Sequence, residues 1–340
     1  MSPDREPEPV VVGVDVGGTK IIAGVVRGTD VLETEERATD VSSAEAVLDG
    51  IEDAVGELLV DRSGPPVAIG IGLPSQIDYA AGRVVSSVNI PVTGVHLRDD
   101  LSARLGLPVY LDNDANCAGL AEAELAERGP VEHLVMLTLG TGVGGGVVIG
   151  GRVFRGASGL GAELGHLVIE TEGPECPGNC PSRGCLEALC SGQALARDAG
   201  AIAAARPDSP LARLARDRGG PPTGADAVTA AREGDPEALG LFERFGTWLG
   251  VGMAGLLNAF EPELLAIGGG LSRVSELYLP RAEEEARARV LPAVGERARI
   301  AVARSGTRAG LIGAARLAVT ERSGMGIAEA GEGARRLAQT

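Results

Sequence analysis

A chain of 340 residues, 44% of them hydrophobic, is long enough for two domains, and with aromatics at 2% their cores must be built from Val, Leu, Ile and Ala. The formal net charge of −16 argues against non-specific nucleic-acid binding, which depends on phosphate neutralisation, and scarce aromatics weaken any base-stacking role. No apolar run reaches the length of a membrane span, and the polar, proline-rich Met1–Pro9 lacks the apolar region of a secretory leader, so the five cysteines are read in a reducing, cytoplasmic compartment, where metal binding outranks a disulfide framework.

Val10–Val14 is a β-branched apolar run that predicts a buried strand entering a glycine turn, with Ile21–Val26 as the second strand of a hairpin. Ala44–Val60 carries apolar residues at helical spacing. Val67–Ile71 predicts a strand, Leu97–Leu105 a helix, Val109–Leu111 a strand and Ala115–Arg128 a helix. His133–Leu139 then predicts a strand, followed by the glycine-rich run Gly140–Gly146 and a strand at Val147–Ile149. Strand, glycine turn and strand thus occur twice, which reads as a weak internal duplication and suggests two similar α/β domains facing a cleft. After a cysteine-rich loop at Glu170–Cys185 come a helical stretch over Leu186–Ala205, a loose segment at Gly219–Gly224, a helix over Ala238–Ala259, and a strand at Leu264–Ile267 ending in Gly268-Gly269-Gly270. The expected division is an N-terminal α/β domain over 1–130, completed by a C-terminal helix near 308–320, a larger α/β domain over 131–307, and a flexible tail over 321–340.

Four groups of residues carry chemistry. Asp15-Val16-Gly17-Gly18-Thr19-Lys20 follows a buried strand. Its glycines let backbone N–H groups approach phosphate oxygens, Thr19 offers a hydroxyl, and Lys20, the single lysine among 31 basic residues, offers a compact charge. Asp15 could hold Mg²⁺, through water. Gly140-Thr141-Gly142 repeats this chemistry from the other half, and Gly268-Gly269 is a third candidate for close approach by a nucleoside. Taken singly, each also reads as an ordinary turn. The run Asp112-Asn113-Asp114-Ala115-Asn116 opens a helix. One of its side chains is expected as the N-cap, and another carboxylate could accept a proton from a substrate hydroxyl. His166, Cys176, Cys180 and Cys185 form the strongest metal signal: three thiolates and an imidazole suit tetrahedral Zn²⁺ in a closed, structural site. Cys117 and Cys190 read as buried thiols.

Together and in this order, Asp15–Lys20, Asn89-Ile90-Pro91, Asn113-Asp114-Ala115-Asn116, Leu139–Gly146, Gly161-Ala162-Glu163-Leu164-Gly165-His166 and Gly184-Cys185-Leu186-Glu187 resemble the motifs of the ROK family of bacterial sugar kinases and repressors, over about Val10–Ala318. The resemblance implies a two-domain α/β fold of the actin-like (ribonuclease H-like) ATPase type. It implies an ATP- and Mg²⁺-dependent hexose kinase, glucokinase-like, with Asp114 as the base on the 6-hydroxyl. Asn89, Asn113, Asp114, Glu163, His166 and Glu187 become the sugar contacts, and the zinc loop fixes Glu163 and Glu187. The expected partners are a hexose, ATP and further copies of the chain as a dimer or tetramer, with neither nucleic acid nor membrane. Fructose, N-acetylmannosamine or N-acetylglucosamine are alternative acceptors, and polyphosphate an alternative donor. A non-catalytic sugar-binding regulator is the less favoured class, since Asp114 and the Asp15 loop are intact. A repressor would need a DNA-binding segment ahead of Val10. Three positions depart from the family pattern: three residues rather than one separate Cys176 from Cys180, Ser75 replaces a glycine, and Val92-Thr93-Gly94-Val95-His96 lacks an aromatic residue.

Overall fold

The structure, a computed structural model, describes residues 8–59, 64–177 and 180–324. It forms two compact units. The first comprises residues up to Met136, then Gly146–Ala162 and the chain from Arg304 onward; the second comprises Leu137–Gly145 and Glu163–Ala303.

The first unit begins with β1 (Val10–Val16), β2 (Lys20–Arg27) and β3 (Asp30–Ala38), an antiparallel meander, followed by α1 (Ala44–Leu58). Next come β4 (Ile69–Leu73), the hairpin β5 (Ser75–Asp78) and β6 (Arg83–Ser87), α2 (Leu97–Leu105), β7 (Val109–Asn113) and α3 (Asp114–Leu125). The sheet order is β3-β2-β1-β4-β7, with β1, β4 and β7 parallel. Period-2 alternation explains the continuous apolar run of β1. Val10, Val12, Val14 and Val16 face a core with Val47, Ile51, Val55 of α1 and Leu97, Leu101 of α2, whereas Val11 faces Ala315 and Ala318 on the opposite side. Helix α1 is amphipathic as predicted, and Ser43 caps it by accepting from the Ala46 N–H at 3.1 Å.

A second sheet has the order β10-β9-β8-β11-β12, built from β8 (Leu134–Leu139), β9 (Val143–Ile149) and β10 (Arg152–Val153). After a 3-10 turn at Leu164–His166 the chain forms α4 (Leu186–Cys190), α5 (Gly192–Ala205), α6 (Pro210–Arg218), α7 (Gly224–Arg232), α8 (Pro236–Phe260) and β11 (Leu264–Gly268). Then follow α9 (Leu279–Arg289), α10 (Pro292–Gly295), β12 (Arg299–Val302) and α11 (Ala309–Ser323). Among the described residues no helix is long and apolar enough to cross a membrane.

Several expectations need correction. The glycine run does not remain a turn through Gly146: β9 starts at Val143, so the turn is Gly140–Gly142. The helical stretch Leu186–Ala205 is two helices, because Ser191 is extended and caps α5 by accepting from the Ala194 N–H. Residues 146–162, assigned to the second domain from sequence, pack with the first unit. There the backbone of Ala115 lies so near Gly146 that a Cβ would stand 2.4 Å from the Ala115 carbonyl oxygen. Helix α11 runs through Ser323, so residues 321–323 are helical rather than tail, while 325–340 lie outside the described residues.

Candidate functional site

In the first unit, register aligns three positions along one sheet edge. Asp15 pairs with Gly72, and Gly72 with Asp112, at the carboxyl ends of parallel strands, where open α/β sheets place ligands. Asp15 is the penultimate residue of β1, at the strand end as the sequence predicts. Its carboxylate lies on the first turn of α11: a Cβ on Gly310 would stand 2.3 Å from its Cγ. Burial and then the charge of Asp114 push its pKa up to about 6, and Lys20 opposes them. A buried carboxyl facing a second carboxylate is an arrangement that a divalent cation would relieve.

Asp112 and Asp114 occupy different environments two residues apart. Asp112 is buried and saturated: it accepts from Arg155 Nε at 2.6 Å, Asn116 Nδ2 at 2.7 Å and the Asn113 N–H at 2.8 Å. Arg155 continues to Glu321 at 2.8 Å and lies 3.8 Å from the centroid of the Tyr79 ring. Burial raises the Asp112 pKa, and the Arg155 charge offsets part of that. The N-cap of α3 is Asn113, whose Oδ1 accepts from the Ala115 N–H at 2.9 Å while its Nδ2 donates to the Ser75 carbonyl at 3.3 Å. Asp114 is the first residue of α3 and is half-buried, with a position at a helix N-terminus that favours the anion. Arg155, Tyr79 and Glu321 were missed from sequence, since nothing local marks a residue whose partners lie 43 and 166 positions away.

The first glycine turn closes on itself. Gly17 N–H donates to the Lys20 carbonyl at 2.9 Å, Thr39 Oγ1 to the Gly17 carbonyl at 2.7 Å, and Thr39 N–H to the Thr19 carbonyl at 3.0 Å. Gly18 backs onto Asn89, 3.4 Å from its Cβ for an ideal side chain. Lys20 pairs with Glu36 at 3.0 Å and is half-exposed.

In the second unit, the Gly140 N–H donates to the Gly142 carbonyl at 2.9 Å, and the turn is also held from outside. The Gly140 carbonyl accepts from Gly192 N–H at 2.8 Å and that of Thr141 from Gln193 N–H at 3.2 Å, both at the start of α5. Glu187 Oε2 accepts from Val143 N–H at 2.8 Å and presses on Gly142, where a Cβ would stand 2.3 Å away. Gly268 ends β11, and Gly269 (φ +79) faces the Leu139 backbone at 2.4 Å for an ideal Cβ, so the close approach at Gly269 is made by the protein's own strand.

His166, Cys176, Cys180 and Cys185 converge, with donor atoms all within 4.8 Å of one another. Cys180 and Cys185 Sγ are 3.8 Å apart, and Cys176 Sγ is 3.5 Å from His166 Nδ1. Tetrahedral Zn²⁺ with bonds of ~2.3 Å to sulfur and ~2.0 Å to nitrogen demands edges of roughly 3.8 and 3.5 Å. These two separations match tetrahedral edges, three thiols and an imidazole are a donor set that suits zinc, and the longer Cys176–Cys180 spacing does not keep Cys176 out of the cluster. Burial raises the thiol pKa values of Cys176 and Cys185, whereas the Ser182 backbone lowers that of Cys180. Glu163 immediately precedes the 3-10 turn that carries His166, and Ala162 before it has φ +64, a left-handed conformation rare for a residue with a Cβ. Glu187 lies two residues beyond Cys185 and also contacts Cys176, with Oε1 4.0 Å from its Sγ.

The ROK family model matches residues 11–321. A glucokinase of Thermotoga maritima is 37% identical over 324 residues, which is 94% of this chain and 99% of the relative. A crystal structure of a ROK hexokinase from Thermus thermophilus superposes with a TM-score of 0.81 at 36% identity, covering 93% of this chain and 99% of that one. A ROK glucokinase from Streptomyces griseus, crystallised with glucose and AMPPNP, has a TM-score of 0.72 at 36% identity over 91% and 99% of the two chains.

Proposed function

Since this chain belongs to the ROK family and has its actin-like, two-domain ATPase fold, we propose that it is an ATP-dependent hexose kinase acting on the 6-hydroxyl of glucose. The observation that carries the proposal is the contrast between the two aspartates at the end of β7. Asp112 is buried and ion-paired to Arg155, with Asn116 and a backbone N–H on its oxygens, whereas Asp114, whose Oδ1 accepts the Ala115 N–H at 2.9 Å, is only half-buried and faces Asp15. Asp114 takes the proton of the 6-hydroxyl as that oxygen bonds to the γ-phosphorus and the bridging bond to ADP breaks.

Asn89, Asn113, Glu163, His166 and Glu187 bind the sugar in this reading. Asp15, Gly17, Gly18, Thr19, Lys20, Gly140, Thr141, Gly142, Gly268 and Gly269 line the nucleotide. Mg²⁺ near Asp15 would neutralise charge developing on the transferred phosphoryl group. Zn²⁺ held by His166 through Nδ1 and by Cys176, Cys180 and Cys185 would fix the segments that carry Glu163 and Glu187. The three cluster thiols suit the reducing cytoplasm, and the working form is a dimer or tetramer.

Kinetics of two variants test the base. Asp114→Asn lowers kcat by roughly a hundred- to ten-thousand-fold with the fold retained. Asp112→Asn instead destabilises the protein by about 3 kcal/mol, since it breaks a buried pair, and its folded fraction keeps most of kcat. The reverse pattern would overturn the assignment.

A further inference from the structure

Resting on this reading, we infer that Glu187 is a positioning residue that couples the metal loop to the nucleotide turn, so that zinc and nucleotide each strengthen the other's binding without sugar. It lies two residues beyond the zinc ligand Cys185, in the first turn of α4, and its Oε2 accepts the Val143 N–H at 2.8 Å, directly beyond Gly142. A second segment of the metal loop grips the same residue. Gly165, which precedes the ligand His166, sits so tightly on Val143 that a Cβ would stand 2.0 Å from the Val143 carbonyl oxygen. The N–H of Val143 is thus held from the Cys185 side and its carbonyl from the His166 side. Release of the metal frees those two segments from each other and slackens both grips. Gly142 has no side chain because the Glu187 carboxylate occupies that space.

Coupling between two ligands is reciprocal and typically amounts to about 5- to 150-fold. In zinc-replete protein without sugar, a saturating Mg²⁺ complex of a non-hydrolysable ATP analogue should slow zinc transfer to a chromophoric chelator by at least about fivefold. Glu187→Ala should keep its zinc by elemental analysis, weaken the analogue by about five- to tenfold and abolish the slowing. Glu187→Gln retains an acceptor oxygen for the Val143 N–H and should restore both nucleotide affinity and coupling, which loss of a sugar contact alone would not produce. Should Glu187→Ala fail to fold, Gly142→Ala, whose new methyl displaces the carboxylate, must abolish the slowing in its place. Equal zinc release with and without bound analogue overturns the inference while leaving the kinase reading intact. Protein that holds no zinc, or binds no analogue, removes the premise itself.

Discussion

The two glycine turns look alike in sequence and are built differently. Gly17–Lys20 is tied by its own hairpin and by Thr39 of the adjoining chain, so its shape is set within some twenty residues. Gly140–Gly142 has one bond of its own, from the Gly140 N–H to the Gly142 carbonyl, and is otherwise held by Glu187, Gly192 and Gln193, 44 or more positions away. A turn whose restraints all lie nearby in sequence is insulated from the rest of the molecule. A turn restrained by a metal loop can be controlled through it.

The largest expected effect tests that contrast. Cys185→Ala should lose the metal and lower glucose-dependent kcat/KM by at least about a hundredfold. Amide exchange read residue by residue should accelerate at Val143 and stay unchanged at Gly17. Equal acceleration at both would remove the distinction.

Titration of Asp15 gives the next effect, confined to the first unit. Below pH about 6 its carboxyl is protonated, so affinity for Mg²⁺-ATP should fall about tenfold per pH unit there, and Asp15→Asn should flatten that limb. The sign for stability is opposite to that of a paired carboxylate. With a folded pKa of about 6 against 3.8 unfolded, the favourable contribution is present below pH 3.8 and is lost as pH rises to about 6. Asp15→Asn should therefore raise the stability of ligand-free protein at pH 8 by up to about 3 kcal/mol, and by nothing measurable at pH 3.5. A mutant that melts lower at pH 8 would contradict the electrostatic account.

Thr39→Val is the smallest. It removes the 2.7 Å hydrogen bond to the Gly17 carbonyl and should cost about 1 kcal/mol of stability with a few-fold weaker nucleotide binding. Zinc release rates should not change, and a change would show that the first turn is not insulated.

These differences track what a sequence can carry. Apolar periodicity marks β1 and α1 because both faces of one and one face of the other meet a core. The cysteine cluster is legible from residue type and spacing alone, and the capping chemistry at Asn113 from its place before a helix. β3 is not legible: Asp30–Ala38 is half-exposed and charged, paired with β2 and tied to the rest by Val31 on the core and Arg37 beside Glu57 of α1. The break at Ser191 hides in a run that is apolar on both sides. The family resemblance marks Glu187 only as a sugar contact, since its bond to Val143 joins residues that nothing local relates. The Asp112–Arg155–Glu321 chain escaped for the same reason, and it is what separates Asp112 from Asp114.

Sugar phosphorylation is tested by ADP release from zinc-replete protein with Mg²⁺-ATP across glucose, fructose, N-acetylmannosamine and N-acetylglucosamine, with the product position read by ³¹P–¹H NMR. The expected result is sugar-dependent turnover with glucose preferred, phosphate on the 6-oxygen, and loss of that turnover in Asp114→Asn. Absence of sugar-dependent ADP release with every acceptor, from protein that holds zinc and binds ATP, would contradict it.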